Sequence, residues 1–154
     1  MTTKRKITLT ISWLLVAICM AVIFSLSHQP ATQSAELSTD VMNFVGLLFT
    51  KFIEAIGHDA FRSLAHGLEY CGLAVLVFNA FYHTFLKPCA LLSFGVSVLY
   101  SLTDEIHQLF IEGRAFQITD IAIDAAGSLA GVIAGYIIYL LIINFIRHRR
   151  GKKN

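Results

Sequence analysis

The sequence predicts an all-α membrane protein, a four-transmembrane-helix bundle with an outer amphipathic helix between spans one and two. Three observations carry that expectation. Hydrophobic residues make up 56% of the 154-residue chain and charged residues only 14%, with a mean hydropathy of +0.67, whereas a soluble domain has about a quarter of its residues charged. Apolar runs approach or exceed the roughly 18 to 20 residues that a hydrocarbon core of about 30 Å requires. The charges are also segregated. Lys4, Arg5, Lys6, Lys87, Arg147, Arg149, Arg150, Lys152 and Lys153 fall at one end of the expected topology, and every Asp and Glu falls at or beyond the other.

The first span, 7–26, contains one Trp, one Cys and no charge. Its basic flank resembles a secretory signal, but its apolar core exceeds the roughly 7 to 15 residues of such signals, so an uncleaved anchor is expected. The next two spans, 61–82 and 89–110, are joined by the short stretch "HTFLKP", where Pro88 can open the second of them. Neither is apolar throughout. Counting 20 residues back from Tyr82 leaves His66 roughly 6 Å and Glu69 roughly 10 Å below the outer end of that helix. The same count from Cys89 places Asp104 and Glu105 roughly 5 to 6 Å inside. The last span, 120–146, runs into "RHRRGKK", a basic cluster suited to anionic lipid headgroups. Because positive loops stay cytoplasmic, both termini are expected inside and the acidic end outside. In a bacterium the chain would sit in the cytoplasmic (inner) membrane, with its acidic end on the periplasmic side.

Between spans one and two, residues 39–56 place Val41, Phe44, Val45, Leu48, Phe52 and Ile56 opposite Asp40, Asn43, Thr50 and Glu54. That 3.6-residue period suggests an interfacial helix with Ser38 or Thr39 as N-cap and Gly57 as its stop. A cover packed on the bundle fits the same pattern. No repeat or linker divides the chain, so 1–154 reads as one integral membrane domain. Cys19, Cys71 and Cys89 fall in or beside spans, where packing rather than disulfide formation is expected.

Polar residues recur at helical spacing on three spans. Arg62, His66 and Glu69, with Tyr70 beside them, share one face of the second. Ser97, Ser101, Asp104 and Gln108 share a face of the third. Asp120 and Asp124 share a face of the fourth with Gly127, Gly131 and Gly135, a small-residue pattern that favours close helix packing in lipid. A charge at mid-bilayer costs roughly 2.5 to 3.5 kcal/mol on insertion scales, so such groups pair or line a wet hollow. The arrangement satisfying all three stripes is an outward-opening polar funnel lined by Arg62, His66, Glu69, Asp104, Asp120 and Asp124. Glu105, His107 and Arg114 would form its rim. For Glu105, His107 and Glu112 the plain alternative is residence in the wet interface, and for Arg62 a snorkelling anchor.

A histidine beside carboxylates suits general acid and base work, with His66, Glu69, Asp104 and Asp120 as catalytic candidates. Arg62 and Arg114 suit a phosphate or carboxylate clamp, and Tyr70, Glu105, Gln108 and Asp124 complete the candidate ligand-binding set. A divalent cation on Asp104, Asp120 and Asp124 is conceivable through oxygen ligands, although two aspartates four residues apart are a weak metal signal. No phosphate-cradling glycine loop, nucleophile elbow or zinc spacing is present in the sequence. No nucleic-acid partner is expected; membrane lipids are, and a homo-oligomer is compatible with the sequence.

"FSLSHQP", "RSLAHGLEYCGLAVL" and "SLTDEIHQLFIEGRAFQITDIAIDAAGSLAG" together resemble the VanZ-like family of small multi-span bacterial membrane proteins, over nearly the whole chain. The resemblance implies a link to resistance against teicoplanin-type lipoglycopeptides. It also implies a recurrent polar set at Arg62, His66, Tyr70, Asp104, Glu105, Gln108, Arg114, Asp120 and Asp124. Family members commonly carry Lys at the position of Arg62 and often Asn at that of Asp124, which weighs against a metal held by Asp124. Three functions follow as expectations. The first is binding or remodelling of a lipid-linked wall precursor, or exclusion of a lipophilic antibiotic. The second is hydrolysis or group transfer on a lipid-linked substrate, and the third is proton-coupled transport through Glu69 and Asp104.

Overall fold

A computed structural model describes the backbone of residues 2–56 and 58–151 and the side chains of 2–45 and 60–149. The described residues form five helices: α1 (Thr3–Ser27), α2 (Ala31–Ile56), α3 (His58–Phe85), α4 (Ala90–Gln108) and α5 (Ile118–Gly151). Three have the length and apolar composition to cross a membrane, over Thr3–Ser27, Ala60–Phe85 and Ile118–Arg149.

Four spans were expected; by length and apolar composition three qualify, and the third expected span does not. The third expected span is α4, 19 residues long, and it falls short because its last two turns carry Asp104, Glu105, His107 and Gln108. Its serines add to the deficit: Ser93, Ser97 and Ser101 are buried toward the bundle together with Asp104 and Gln108. Leu91, Leu99 and Ile106 face outward. A chain of hydroxyls satisfied by the preceding turn lines the buried face, with Ser93 Oγ donating to Cys89 O and Ser97 Oγ to Ser93 O.

The expected interfacial helix also changes. α2 begins at Ala31 rather than near residue 39, so Ser38 and Thr39 are not caps. Both lie inside the helix, and their hydroxyls donate to the carbonyls of Ser34 and Ala35 at 2.8 Å. What starts α2 is a tertiary contact: Ala31 N–H donates to Glu112 O at 3.2 Å. The approach requires the left-handed backbone of Gly113 (φ +74°), where an added Cβ would lie 3.1 Å from the Ala31 Cβ. The side chains of Leu48, Thr50, Phe52, Glu54 and Ile56, and the expected stop at Gly57, lie outside the described residues.

α3 and α5 form the most extensive pairing, and glycine is the reason. A Cβ on Gly127 would overlap the carbonyl of Gly67, and one on Gly131 the carbonyl of Cys71. Such contact lets dispersion drive helix association where lipid supplies no hydrophobic difference. On the other side of α3, Val16 and Ile23 of α1 pack with Tyr70, Leu73, Val77 and Phe81. α1 runs antiparallel to α3, shown by Trp13 Nε1 donating to Thr84 Oγ1 at 3.1 Å and Arg5 Nη2 to Thr84 O at 3.4 Å. The basic residues near the α1 start and the polar C-terminus of α1 are thereby carried to opposite ends of the bundle.

Candidate functional site

At the acidic end, the α1 C-terminus, the first turns of α2 and α3, the α4 C-terminus and the 109–117 loop converge. Leu26, Ser27, Leu37, Val41 and Phe61 share the lining of a cavity of about 300 Å³ with Arg62, His66, Glu69 and Arg114. Arg62 and His66 also face a second hollow of about 170 Å³, whose far wall holds Gln117 and Asp120. Arg62 and His66 of the α3 stripe thus border both hollows. Its residues are one turn apart, so a single helix face presents them all.

Arg114 is held by two backbone carbonyls. Its Nε donates to Gln29 O at 3.0 Å and its Nη2 to Leu26 O at 3.5 Å, a carbonyl at the α1 C-terminus that also accepts from Gln29 N–H at 3.3 Å. Nη1 is buried without a hydrogen-bond partner among the described residues. Burial, and next the like charge of Arg62, draws the guanidinium pKa below its ordinary value, while Asp104, Glu105 and Asp120 oppose that shift. Arginine keeps its charge at neutral pH in proteins.

Behind the cavity lies a network that joins α1, α4 and α5. Ser27 Oγ, which lines the cavity, donates to Asp104 Oδ2 at 2.6 Å and accepts from Gln108 Nε2 at 3.4 Å. Ser101 Oγ donates to Asp124 Oδ2 at 2.7 Å, tying α4 to α5. Glu105 Oε2 accepts from Gln117 N at 2.8 Å, immediately before α5, where a carboxylate meets the open N–H groups and positive dipole of a helix start. Tyr70 Oη, Asp104 Oδ1, Asp124 Oδ1 and Ser128 Oγ are buried without partners among the described residues.

The expected funnel is thus divided. Arg62, His66, Glu69, Arg114 and Asp120 line the two hollows; Tyr70, Asp104, Glu105, Gln108 and Asp124 lie behind them, each no more than 5% exposed. Asp104 is shut off by Ser27 and Asp124 by Ser101. Glu105, expected at a wet rim, is 2% exposed, because it caps the α5 start. Arg114, also expected at the rim, is half-buried in the cavity wall. Only His107 approaches the rim placement, with His28 Nδ1 3.1 Å from its Nε2 and the two rings stacked. Among the described residues no group of three or more His, Cys, Asp or Glu side chains can hold a metal ion, because the hydroxyl bonds direct Asp104 and Asp124 to different partners.

Sequence reasoning missed Ser27, Ser34, Ser38 and Gln117. Ser27 carried one signal, a hydroxyl at the polar end of a largely apolar span. Ser34 and Ser38 share a face with Leu37 and Val41, and that face borders the cavity.

The fold and site define a multi-pass membrane protein with a cavity of mixed polar and apolar lining, bordered by α2. The chain belongs to the VanZ/LLP1 family, whose model matches residues 12–143. Neither a curated protein nor a solved structure was found to match it.

Proposed function

We propose that this protein binds the lipid-linked molecules of the bacterial envelope in its polar cavity, from the outer leaflet of the cytoplasmic membrane. The observation that carries the reading is the mixed wall. Two guanidinium groups, Arg62 and Arg114, share about 300 Å³ with the apolar side chains of Leu37, Val41 and Phe61. Guanidinium groups suit the planar oxygens of phosphate, and an apolar wall open toward lipid suits the attached chain. Val41 is 45% exposed and Phe44 67%, so α2 offers the entrance an oily surface. The family's link to teicoplanin resistance is consistent with an effect on precursors displayed outside the membrane.

In this reading α4 also runs through the membrane, with its serine face inward and its leucines toward lipid, and both termini are cytoplasmic. Contact between the C-terminal ends of α1 and α4, through Ser27 and Asp104, supports that arrangement. So does the basic cluster at the other end.

The test incubates purified protein with outer-leaflet lipids and lipid-linked wall precursors and follows both binding and products by mass spectrometry. Retention of such a molecule, lost in Arg62→Gln and His66→Ala, is expected, with no new product. A product that disappears in His66→Ala and Asp104→Asn would replace binding by hydrolysis or transfer, His66 then acting as acid or base. Ion flux in sealed vesicles that stops in Glu69→Gln would replace it by transport.

A further inference from the structure

The cavity wall holds both signs of charge. Arg62 and Arg114 supply positive groups, and Arg114 Nη1 is a buried donor with no partner among the described residues. Glu69 lies in the same wall. Ser27 also lines the cavity, and its hydroxyl is held on Asp104, which is 5% exposed and whose other oxygen has no partner among the described residues. Gln108, the remaining partner of Ser27, is neutral. A buried carboxylate whose hydrogen-bond partner is a hydroxyl rather than a bonded cation leaves a negative potential beside Ser27.

A simple anion would satisfy the guanidinium groups and face repulsion from Glu69 and Asp104. A simple cation would meet the reverse. A ligand carrying both charges a few bonds apart satisfies each end, and unpartnered buried donors and acceptors are costly enough to make that match selective. The size agrees, because about 300 Å³ is at the lower limit for small-molecule sites. It fits a headgroup rather than a large glycan.

We propose that the cavity selects a phosphate ester bearing a primary amine, the headgroup of an aminophospholipid, with phosphate on Arg62 and Arg114 and ammonium on Glu69 and the Ser27–Asp104 pair. The assignment rests on the lipid-binding reading above and specifies its chemistry. The ammonium N–H groups donate to the Glu69 carboxylate and to Ser27 Oγ, whose own proton already points to Asp104 Oδ2. A quaternary ammonium has the charge but no N–H, so it loses these bonds. The acyl chains leave past Leu37, Val41 and Phe61, which distinguishes a lipid from a free phosphoamine.

The full chain in detergent, freed of endogenous lipid, is titrated by native mass spectrometry with four probes: dihexanoylphosphatidylethanolamine, the corresponding choline and glycerol lipids, and tail-less glycerophosphoethanolamine. The ethanolamine lipid is expected to bind at least about tenfold more tightly than each of the others, a preference of about 1.4 kcal/mol. Glu69→Gln and Asp104→Asn, both near-isosteric, are expected to abolish the preference over the glycerol lipid while keeping glycerol-lipid binding, which also shows that the variants are folded. Arg62→Gln weakens both lipids. Equal binding of the ethanolamine and glycerol lipids, or a preference that survives both carboxylate variants, overturns the assignment and leaves lipid binding standing. Tail-less probe binding as tightly as the lipid overturns the lipid source. Failure of all three lipids to bind overturns the assignment too, and retention of a lipid-linked wall precursor in the test above then decides separately whether the underlying reading stands.

Discussion

A methyl group added at Gly127 probes whether the backbones of α3 and α5 touch. In Gly127→Ala the new Cβ meets the carbonyl of Gly67, and a backbone oxygen on a packed helix cannot rotate aside. Restoring a normal separation moves the helices apart by on the order of 1 Å, toward the roughly 3.5 to 4.0 Å of good contact. Overpacking costs about 1 to 3 kcal/mol, with the upper end appropriate to a backbone clash, while alanine returns about 1 kcal/mol of helix propensity. The net destabilisation is about 2 kcal/mol. Gly72 is the internal control: nothing stands within 4 Å of an added Cβ there, so Gly72→Ala is expected to gain about 1 kcal/mol. At about 2 to 4 °C per kcal/mol for a chain of this size, the two variants differ by about 6 to 12 °C in thermal midpoint. Far-ultraviolet circular dichroism of the purified protein in detergent reads the difference directly. Equal midpoints, or a more stable Gly127→Ala, would refute backbone contact between the two helices, and with it the positioning of Asp120 opposite Arg62 and His66.

Three further outcomes are expected. Ser27→Ala removes the donor to Asp104 Oδ2 and the acceptor for Gln108, leaving buried groups unsatisfied at about 1 to 3 kcal/mol; an unchanged thermal midpoint would show that the bond is not formed. Glu105→Ala deprives the α5 start of its acceptor and is expected to lose about 1 kcal/mol, while Glu105→Gln, which retains an amide oxygen, loses less; the reverse order would show that the residue does not cap. In a background with Cys19, Cys71 and Cys89 replaced by alanine, Ser34→Cys is expected to react with a membrane-impermeant thiol reagent applied outside intact cells. Arg149→Cys is expected to react only after lysis, and labelling of both from outside would overturn the proposed orientation.

The helices that cross were legible because apolar length is a local property. Spans expected at 7–26, 61–82 and 120–146 fall within α1, α3 and α5. The stripe Arg62, His66, Glu69 was legible for a similar reason, since a helix fixes which residues share a face. The α5 glycines were read as a packing surface, and the structure gives that surface its partner in α3. Where the reading failed, the missing information was non-local. α2 starts at Ala31 because Glu112, far along the chain, supplies an acceptor, and no local cap advertises it. α4 was read by its apolar half alone, although its serines and terminal carboxylates lower its hydropathy below that of a span.

The sequence alone therefore determined a helical membrane chain, the segregation of its charges to two ends, and the faces on which its ionisable residues lie, because each follows from a period or a length along one segment. Tertiary structure decided which of those residues meet open space. Whether a carboxylate lines a cavity or closes a network depends on the hydroxyl brought against it from another helix: Ser27 from α1 covers Asp104, and Ser101 from α4 covers Asp124. No spacing within a single helix encodes that pairing, because it is set by how closely two backbones approach and by the angle at which the remaining helices are then held.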